Sequence, residues 1–463
     1  MEHKRKLYAA KAAVIMSAIP MLLWAFEYGP NPGYSGVPKE LGTCTAIGCH
    51  VGTTNNPANK GSVSVAFPGG QTYLPGVKQH LVVTIADPAQ RAWGFQLTAR
   101  LASNSATTAG TFASTDPNTT LMCSSSDFNS FLEVDYVAGK TQTCQASMPL
   151  QYVEHSITGY NATKGHAGSQ TYEFDWTPPA TDSGNVIVYV SGNAANGDLT
   201  VNGDHIYSTS YTLTPTAAGP APSISAGGVV DAAGFRPGIV PGSWMTIFGS
   251  NLSPVALDRW DNAIVNGNLP TLLDGVSVNV GSKQAFVAVI SPTQINAQVP
   301  DVGTGPVPVT VTTPSGTSAA VTATVVAQSP AFFLWPGSQA VATHNDATAS
   351  LAVKNGTFPG ATTVAAKPGD VLILWGTGFG PTTPPAAAGI QVPADKIYNA
   401  SPVSVTIGTA NAQFYGAALS PGYAGLYQVA IQVPTSLADG DYALKATVSG
   451  ASSPDGVILS VKK

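Results

Sequence analysis

Short stretches in which apolar and polar residues alternate recur along most of the chain. Clear examples are residues 62–67, 95–99 and 185–190. Alternation with a period of two is typical of a β-strand that buries one face. Turn-forming pairs such as residues 75–76 and 202–203 separate these stretches. The pattern predicts an all-β protein made of short strands in β-sandwiches, with one of them over residues 61–213.

The C-terminal half contains an internal repeat. Residues 241–249 align with 368–376, and residues 276–281 align with 403–408, each pair 127 positions apart. Residues 297–300 correspond to 431–434, so the second copy carries a short insertion. Two copies of this length predict tandem immunoglobulin-like β-sandwiches at 223–335 and 336–463. The Ala-, Pro- and Thr-rich residues 214–222 are the expected linker.

The N-terminus has the pattern of an export signal. Lys4, Arg5, Lys6 and Lys11 precede an apolar run over residues 12–26. A spanning helix needs about 20 apolar residues, whereas a secretory signal has a shorter apolar segment after a basic start. Residues 1–26 are therefore predicted to be a signal peptide or an uncleaved anchor. The protein is expected to be periplasmic, on the cell surface or extracellular, with a membrane contact only through this segment.

Composition narrows the function classes. Charged residues make up 10% of the chain, the net charge is −5, and no basic patch suits phosphates. Nucleic acid is therefore not an expected partner. No nucleophile elbow, HExxH or P-loop motif is present. Whether the protein is an enzyme stays open, and a non-catalytic role is favoured over a glycan-degrading one because no paired carboxylates stand out.

One motif carries recognisable chemistry: Cys44 and Cys49 are separated by four residues, and His50 follows directly. A c-type haem is held by two cysteine thioethers, and the histidine after the second cysteine ligates the iron; the usual spacing is Cys-x-x-Cys-His. The longer spacing equally suits a small disulfide loop with an incidental histidine. The motif alone leaves both interpretations open.

Two further features involve possible cross-links or ions. Cys123 and Cys144 bracket a polar insertion, and a disulfide between them is expected in an exported chain. An Asx-rich stretch is a weaker candidate for a calcium site, because its residues also suit β-turns. The stretch consists of Asn193, Asn196, Asp198, Asn202 and Asp204.

Residues 31–215 resemble the Reeler-like domain of bacterial choice-of-anchor proteins, in which a Gly-x-Pro lead-in precedes a Cys-x-x-Cys-His motif. The matching blocks are Gly36-Val37-Pro38, Gly42-Thr43-Cys44, Tyr73-Leu74-Pro75-Gly76, Trp93-Gly94-Phe95-Gln96-Leu97-Thr98-Ala99, Ala109-Gly110-Thr111-Phe112, Tyr152-Val153-Glu154-His155, Trp176-Thr177-Pro178-Pro179, Gly192-Asn193-Ala194-Ala195-Asn196-Gly197 and Gly203-Asp204-His205-Ile206-Tyr207. Residues 223–463 resemble the Solibacter-type C-terminal domain of secreted bacterial proteins, with units similar to TIG/IPT folds.

The resemblance favours haem at Cys44 and Cys49, with His50 as the proximal iron ligand. The family pattern has a histidine at the position of His155, which makes His155 the preferred distal ligand and His205 the second choice. It implies a cytochrome-like electron carrier outside the cytoplasm, with residues 27–60 as an extended lead-in that bears the motif. The redox partner or cell-surface component is unknown. The alternative is a non-haem adhesion or matrix protein with two disulfides.

Overall fold

Three β-sandwiches follow one another along the chain, which confirms the all-β prediction. A computed structural model describes residues 28–46, 49–216 and 219–463. The predicted signal segment, residues 1–26, lies outside the described residues. Within those ranges no helix is both long and apolar enough to cross a membrane. The chain divides into two compact units between positions 218 and 219, inside the predicted linker.

The first unit is a two-sheet sandwich with one short helix. Its elements are β1 (Ser62–Ala66), β2 (Thr72–Tyr73), β3 (Gln79–Asp87), β4 (Ala92–Leu101), β5 (Asn104–Thr108), β6 (Thr111–Ser114), β7 (Thr119–Ser124), β8 (Phe131–Asp135), β9 (Leu150–His155), α1 (Ile157–Thr163), β10 (Gly168–Thr177), β11 (Val186–Ala195) and β12 (His205–Pro215). The smaller sheet has the order β1-β3-β10-β6. The larger sheet has the order β2-β12-β11-β4-β9-β7-β8, with β5 paired to β4.

Strand β4 shows why the larger sheet is buried on both faces. The side chains of Trp93, Phe95 and Leu97 belong to the sandwich core. The intervening polar side chains Gln96 and Arg100 are also fully buried. They are buried because the lead-in packs on the outer face of the sheet and hydrogen-bonds to it. The lead-in is therefore part of the fold and not a detached tail.

Two contacts fasten the lead-in to β4. The backbone N–H groups of Gly33 and Tyr34 donate to Gln96 Oε1 at 3.1 and 2.8 Å. Further along, Arg100 Nη2 donates to Glu40 Oε1 at 2.9 Å. Gly36 lies between these anchors with φ +90°, a left-handed backbone conformation that glycine adopts without a Cβ clash.

The disulfide between Cys123 and Cys144 is present. Cys123, in β7, is fully buried in the core, and Cys144 packs against the same core. The chain between them differs from the plain polar loop that the sequence suggested, because it contains β8, which pairs with β7 in the register Cys123↔Leu132. The disulfide therefore closes a hairpin of the larger sheet.

Replacing both Cys123 and Cys144 with serine is expected to destabilise the N-terminal unit by about 3 kcal/mol, since a loop of this length loses its closure constraint in the unfolded chain. Alkylation of the denatured haem-free protein without a reductant should label Cys44 and Cys49 and leave Cys123 and Cys144 unlabelled. The first pair thus serves as the internal control. Labelling of Cys123 or Cys144 would contradict the disulfide.

The second unit contains two sandwiches in tandem. The strands of the first are β13 (Ser223–Asp231), β14 (Trp244–Ser250), β15 (Asp258–Arg259), β16 (Ser277–Val280), β17 (Lys283–Gln284), β18 (Phe286–Ile290), β19 (Gln294–Gln298), β20 (Gly305–Thr313), β21 (Gly316–Thr317) and β22 (Val321–Val325), with a 3-10 turn at Trp260–Asn262. Its sheets are β13-β14-β19-β18-β15 and β17-β16-β20-β21, with β22 on β20.

The last sandwich repeats this topology. Its strands are β23 (Ala331–Phe332), β24 (Leu334–Trp335), β25 (Gln339–Ala340), β26 (Ala342–His344), β27 (Val371–Thr377), β28 (Thr382–Thr383), β29 (Asn399–Ala400), β30 (Val403–Ile407), β31 (Ala410–Asn411), β32 (Gln413–Leu419), β33 (Tyr427–Gln432), β34 (Gly440–Val448), β35 (Ala451–Ser452) and β36 (Ile458–Val461). One sheet, β23-β27-β33-β32-β29-β28 with β26 on β27, follows the strand order of its counterpart; the other is β24-β25-β36-β34-β30-β31 with β35 on β34.

The sequence repeat is therefore a structural repeat. The aligned segments 241–249 and 368–376 contain β14 and β27, which occupy the same position in their sheets. The boundary between the two sandwiches lies earlier than the predicted 335/336. β23 already pairs with β27, so the last sandwich begins at Ala331.

Candidate functional site

A cavity of about 260 Å³ lies between the lead-in and the larger sheet of the first sandwich. It is located where β4 begins and where β9 and β11 end. In the antiparallel register Gly94 of β4 faces Asn193 of β11, and both line the cavity. Its volume is close to the lower end of the range for small-molecule pockets, about 300–1,000 Å³.

The residues predicted from the motif and the family pattern meet in this cavity. Cys44, Cys49 and His50 of the lead-in line one part of it, and His155 at the end of β9 lines another. His155 is 105 positions from His50 in the sequence, so only the fold brings the two imidazoles to one cavity.

His205, the second choice for a distal ligand, is not among the residues that line the cavity. Its Nδ1 atom lies 2.6 Å from Asp87 Oδ2, and Tyr207 donates to the same carboxylate oxygen at 2.5 Å. The side chain is thus engaged in a separate hydrogen-bonded group. The structure provides no support for His205 as a ligand at this site.

Both cysteines of the motif are free thiols. Cys44 is buried, and Ser191 of β11 donates a hydrogen bond to its sulfur at 3.3 Å. Burial raises the pKa of the Cys44 thiol to about 11 and also raises the pKa of Cys49. Both groups are therefore protonated near neutral pH, so neither is a thiolate ligand in this state.

His50 is held by hydrogen bonds at both ring nitrogens. Nδ1 lies 2.7 Å from Asp204 Oδ2, and Nε2 lies 3.1 Å from the Asn193 side-chain nitrogen. Asp204 itself is buried, and its second oxygen accepts a hydrogen bond from the Asn196 backbone at 3.1 Å. The backbone N–H of His50 donates to the Cys44 carbonyl at 3.1 Å, which ties the ring to the cysteine loop.

His155 is 5% exposed, and its ring packs against the backbone of Gly94. A Cβ atom at position 94 would lie 2.6 Å from His155 Cε1, so glycine is required for this approach. The Phe95 N–H lies 3.1 Å from His155 Nδ1. Burial lowers the pKa of His155 to about 4. The imidazole is therefore neutral at physiological pH, which is the form that ligates metals.

The carboxyl group beside His155 is buried as well. Glu154 is fully buried, and Gln96 Nε2 donates to its Oε2 atom at 2.7 Å. Burial raises the pKa of Glu154 well above its ordinary value, because the charged carboxylate is poorly solvated there.

The Asx-rich stretch considered for calcium forms turn contacts. Asp198 accepts hydrogen bonds from the Thr200 backbone at 2.8 Å and from the Asn196 side chain at 3.0 Å. Asp204 is engaged with His50. Among the described residues, no group of three or more His, Cys, Asp or Glu side chains is arranged to hold a metal ion. The contacts are those of β-turns.

The donor groups at the cavity are those that a c-type haem requires. Tyr34, Trp93, Phe95 and Tyr160 also line it, although the side chains of Trp93 and Phe95 belong to the sandwich core. Polar groups line the cavity as well. One of them, Asn193 Oδ1, is buried without a hydrogen-bond partner. A haem iron draws only its axial ligands from the protein, so two histidines suffice where a bare metal ion would need more.

Sequence reasoning missed the role of Asp204 and Asn193, which it treated only as calcium candidates. The signal was present in the chain, because Asp204 lies next to His205 in a block of the Reeler-like pattern. Without a fold, however, no spacing rule connects position 204 with position 50.

Comparison with known proteins bears on the fold. The IPT/TIG domain family matches residues 238–325, within the first sandwich of the second unit. This match is consistent with an immunoglobulin-like sandwich in that part of the chain. No curated protein sequence matches it at a significant level.

Similar solved structures include the reeler domain of human F-spondin, at 18% identity over 34% of this chain and 89% of that chain, with a TM-score of 0.22. Another is the SGBP-B protein of a Bacteroides ovatus mixed-linkage glucan utilization locus, solved with a mixed-linkage heptasaccharide. It has 12% identity over 76% of this chain and 63% of that chain, and a TM-score of 0.23. At these identities and TM-scores the comparisons assign neither a fold nor a ligand to this chain.

Proposed function

We propose that this protein is an exported, cytochrome-like electron carrier with one covalently attached haem in its N-terminal unit. The observation that carries the proposal is that Cys44, Cys49, His50 and His155 all line one cavity. Two free thiols beside a histidine, with a second neutral histidine in the same cavity, form the donor set of a bis-histidine c-type haem.

Each residue has a defined task in this proposal. Cys44 and Cys49 would hold the haem through thioethers, each S–H adding across one vinyl double bond so that no oxidant is needed. His50 and His155 would supply the nitrogen ligands of the iron. When bound, the haem supplies a one-electron Fe(III)/Fe(II) couple. The apolar residues around the cavity would lower the local dielectric and so influence the potential.

The remainder of the chain fits a role outside the cytoplasm. The basic and apolar N-terminal residues support export, and the structural disulfide suits an oxidising compartment. We propose that the N-terminal unit is the Reeler-like domain of a choice-of-anchor protein. The C-terminal sandwiches, of the Solibacter type, would serve as a spacer or surface-attachment module. The partner is an unidentified redox protein or cell-surface component.

The proposal is tested by expressing the full chain with haem-maturation machinery. The exported protein should show a Soret band that survives acid–acetone extraction, and a peptide with Cys44 and Cys49 should carry the mass of haem. The double variant Cys44→Ala/Cys49→Ala should lose the extraction-resistant band. Cys123→Ser/Cys144→Ser is the matched control and should retain it, because that pair lies outside the cavity.

The alternative, a non-haem adhesion or matrix protein, gives a different result. In that case the same peptide would carry no haem, and its mass would fall by two hydrogens if Cys44 and Cys49 formed a disulfide. A colourless, intact protein from a host that matures other c-type cytochromes would refute the haem proposal.

A further inference from the structure

The hydrogen bonds around His50 determine which ring nitrogen carries the proton. An ionised carboxylate can only accept, so the 2.7 Å contact with Asp204 Oδ2 requires a hydrogen on His50 Nδ1. In the neutral ring the lone pair then belongs to Nε2. This agrees with the other contact, in which the Asn193 amide nitrogen, a donor, faces Nε2 at 3.1 Å.

Asp204 is itself held in one orientation. Its Oδ1 atom accepts from the Asn196 backbone N–H at 3.1 Å, which leaves Oδ2 for His50. The Asp204 side chain is 2% exposed, so water does not compete for this contact. Asn193 Oδ1 is buried without a hydrogen-bond partner, so the amide is oriented by His50 through its nitrogen.

We infer that Asp204 is the positioning residue of this site, whose carboxylate fixes the His50 tautomer with its lone pair on Nε2, the atom that faces the Asn193 amide at the cavity wall. Metal-ligating histidines commonly donate their other ring N–H to a carboxylate, which fixes the tautomer and increases the basicity of the ligand. The inference rests on the proposed function only for the identity of the metal group. The tautomer itself is a property of the haem-free protein.

The variant Asp204→Asn tests the role of the carboxylate more selectively than removal of the side chain does. The Asn196 N–H still requires an acceptor, so the amide oxygen of the variant stays at that contact and its NH₂ group faces His50. His50 Nδ1 must then accept, and the proton moves to Nε2. The substitution thus keeps the shape of the site and places a hydrogen on the atom that would bind iron, as in other carboxylate–histidine pairs where asparagine selects the wrong tautomer.

Two measurements test this. In the haem-free wild-type chain, nitrogen NMR of labelled histidine should show His50 protonated at Nδ1; in Asp204→Asn it should be protonated at Nε2. In a Cys44→Ala/Cys49→Ala background, titration with ferric haemin should show about 10- to 100-fold weaker binding after Asp204→Asn. His50→Ala in that background measures the haemin binding that does not depend on His50. Asp198→Asn, in the same turn but in contact only with Thr200 and Asn196, is the matched control and should change neither result.

The outcomes separate the two proposals. Nε2 protonation of His50 in the wild type would overturn the role of Asp204, whether or not haem binds. The same holds if the parent binds haemin more tightly than His50→Ala, and Asp204→Asn shifts the tautomer but leaves that binding unchanged. If the tautomers are as expected but the parent protein binds haemin no better than His50→Ala, the positioning of His50 stands and the haem proposal falls.

Discussion

Replacing Glu40 with alanine is expected to destabilise the N-terminal unit by about 3–5 kcal/mol, because it leaves a buried guanidinium without its counter-charge. Arg100 is fully buried and Glu40 is 8% exposed. Arg100 Nη2 donates to Glu40 Oε1 at 2.9 Å and to the Tyr152 hydroxyl at 2.6 Å, and that hydroxyl donates to Glu40 Oε2 at 2.8 Å. The three groups form a closed network that joins the lead-in to β4 and β9.

The loss of stability after Glu40→Ala should appear first in the lead-in. Calorimetry of the full chain should show the transition of the N-terminal unit lowered by about 6–20 °C. Amide exchange at Gly33 and Tyr34, whose N–H groups bond to Gln96, should accelerate by about 100-fold or more. The control is Glu173→Ala. That carboxylate pairs with His80 on the surface, where both side chains are about half exposed, and such a pair contributes about 0–1 kcal/mol. Equal effects of the two substitutions would contradict the account of the buried network.

The second large effect is expected from His155→Ala in the haem-loaded protein. With His50 and His155 as axial ligands, the wild type should have a low-spin spectrum. Loss of the imidazole should convert it completely to high spin and let exogenous ligands such as cyanide bind. The physical reason is that His155 offers a neutral, buried nitrogen ligand at the cavity: burial lowers the pKa of His155 to about 4, so protonation does not compete with ligation above about pH 5.

His205→Ala is the matched control, since His205 contacts Asp87 and does not line the cavity. Its spectrum should stay low-spin. Addition of imidazole should restore the low-spin spectrum of His155→Ala, which separates loss of a ligand from general damage to the site. A low-spin spectrum that persists in His155→Ala and disappears in His205→Ala would reverse the assignment.

The lead-in is involved in the predictions for both Glu40 and His155. It carries the cysteines and His50, and it is also the segment that covers the outer face of β4. Loosening it by removal of Glu40 should therefore weaken the contacts of His50 at the cavity as well as the sandwich. The carboxylate of Glu40 and the cavity are thus expected to be coupled through packing, without direct contact between them.

Local patterns were sufficient for the fold class and for the motif. Alternation at residues 62–67 predicted a strand because period-two burial is a local property, and β1 (Ser62–Ala66) occupies that stretch. The 127-residue repeat predicted two related sandwiches because homologous strands keep their spacing. The adjacency of Cys49 and His50 is likewise visible in the sequence alone.

Tertiary structure alone decided what surrounds that motif. Gln96 and Arg100 alternate with apolar residues and look like solvent-facing positions, yet both are fully buried, because the lead-in, more than 50 residues away in the sequence, packs on them. The pairs His50–Asp204 and His50–Asn193 join positions more than 140 residues apart. Between His155 and His205 the sequence offered only a family pattern. Which of the two histidines lies at the cavity depends on which strand end reaches it. The order of strands in the sheet determines this, and no local sequence pattern encodes that order.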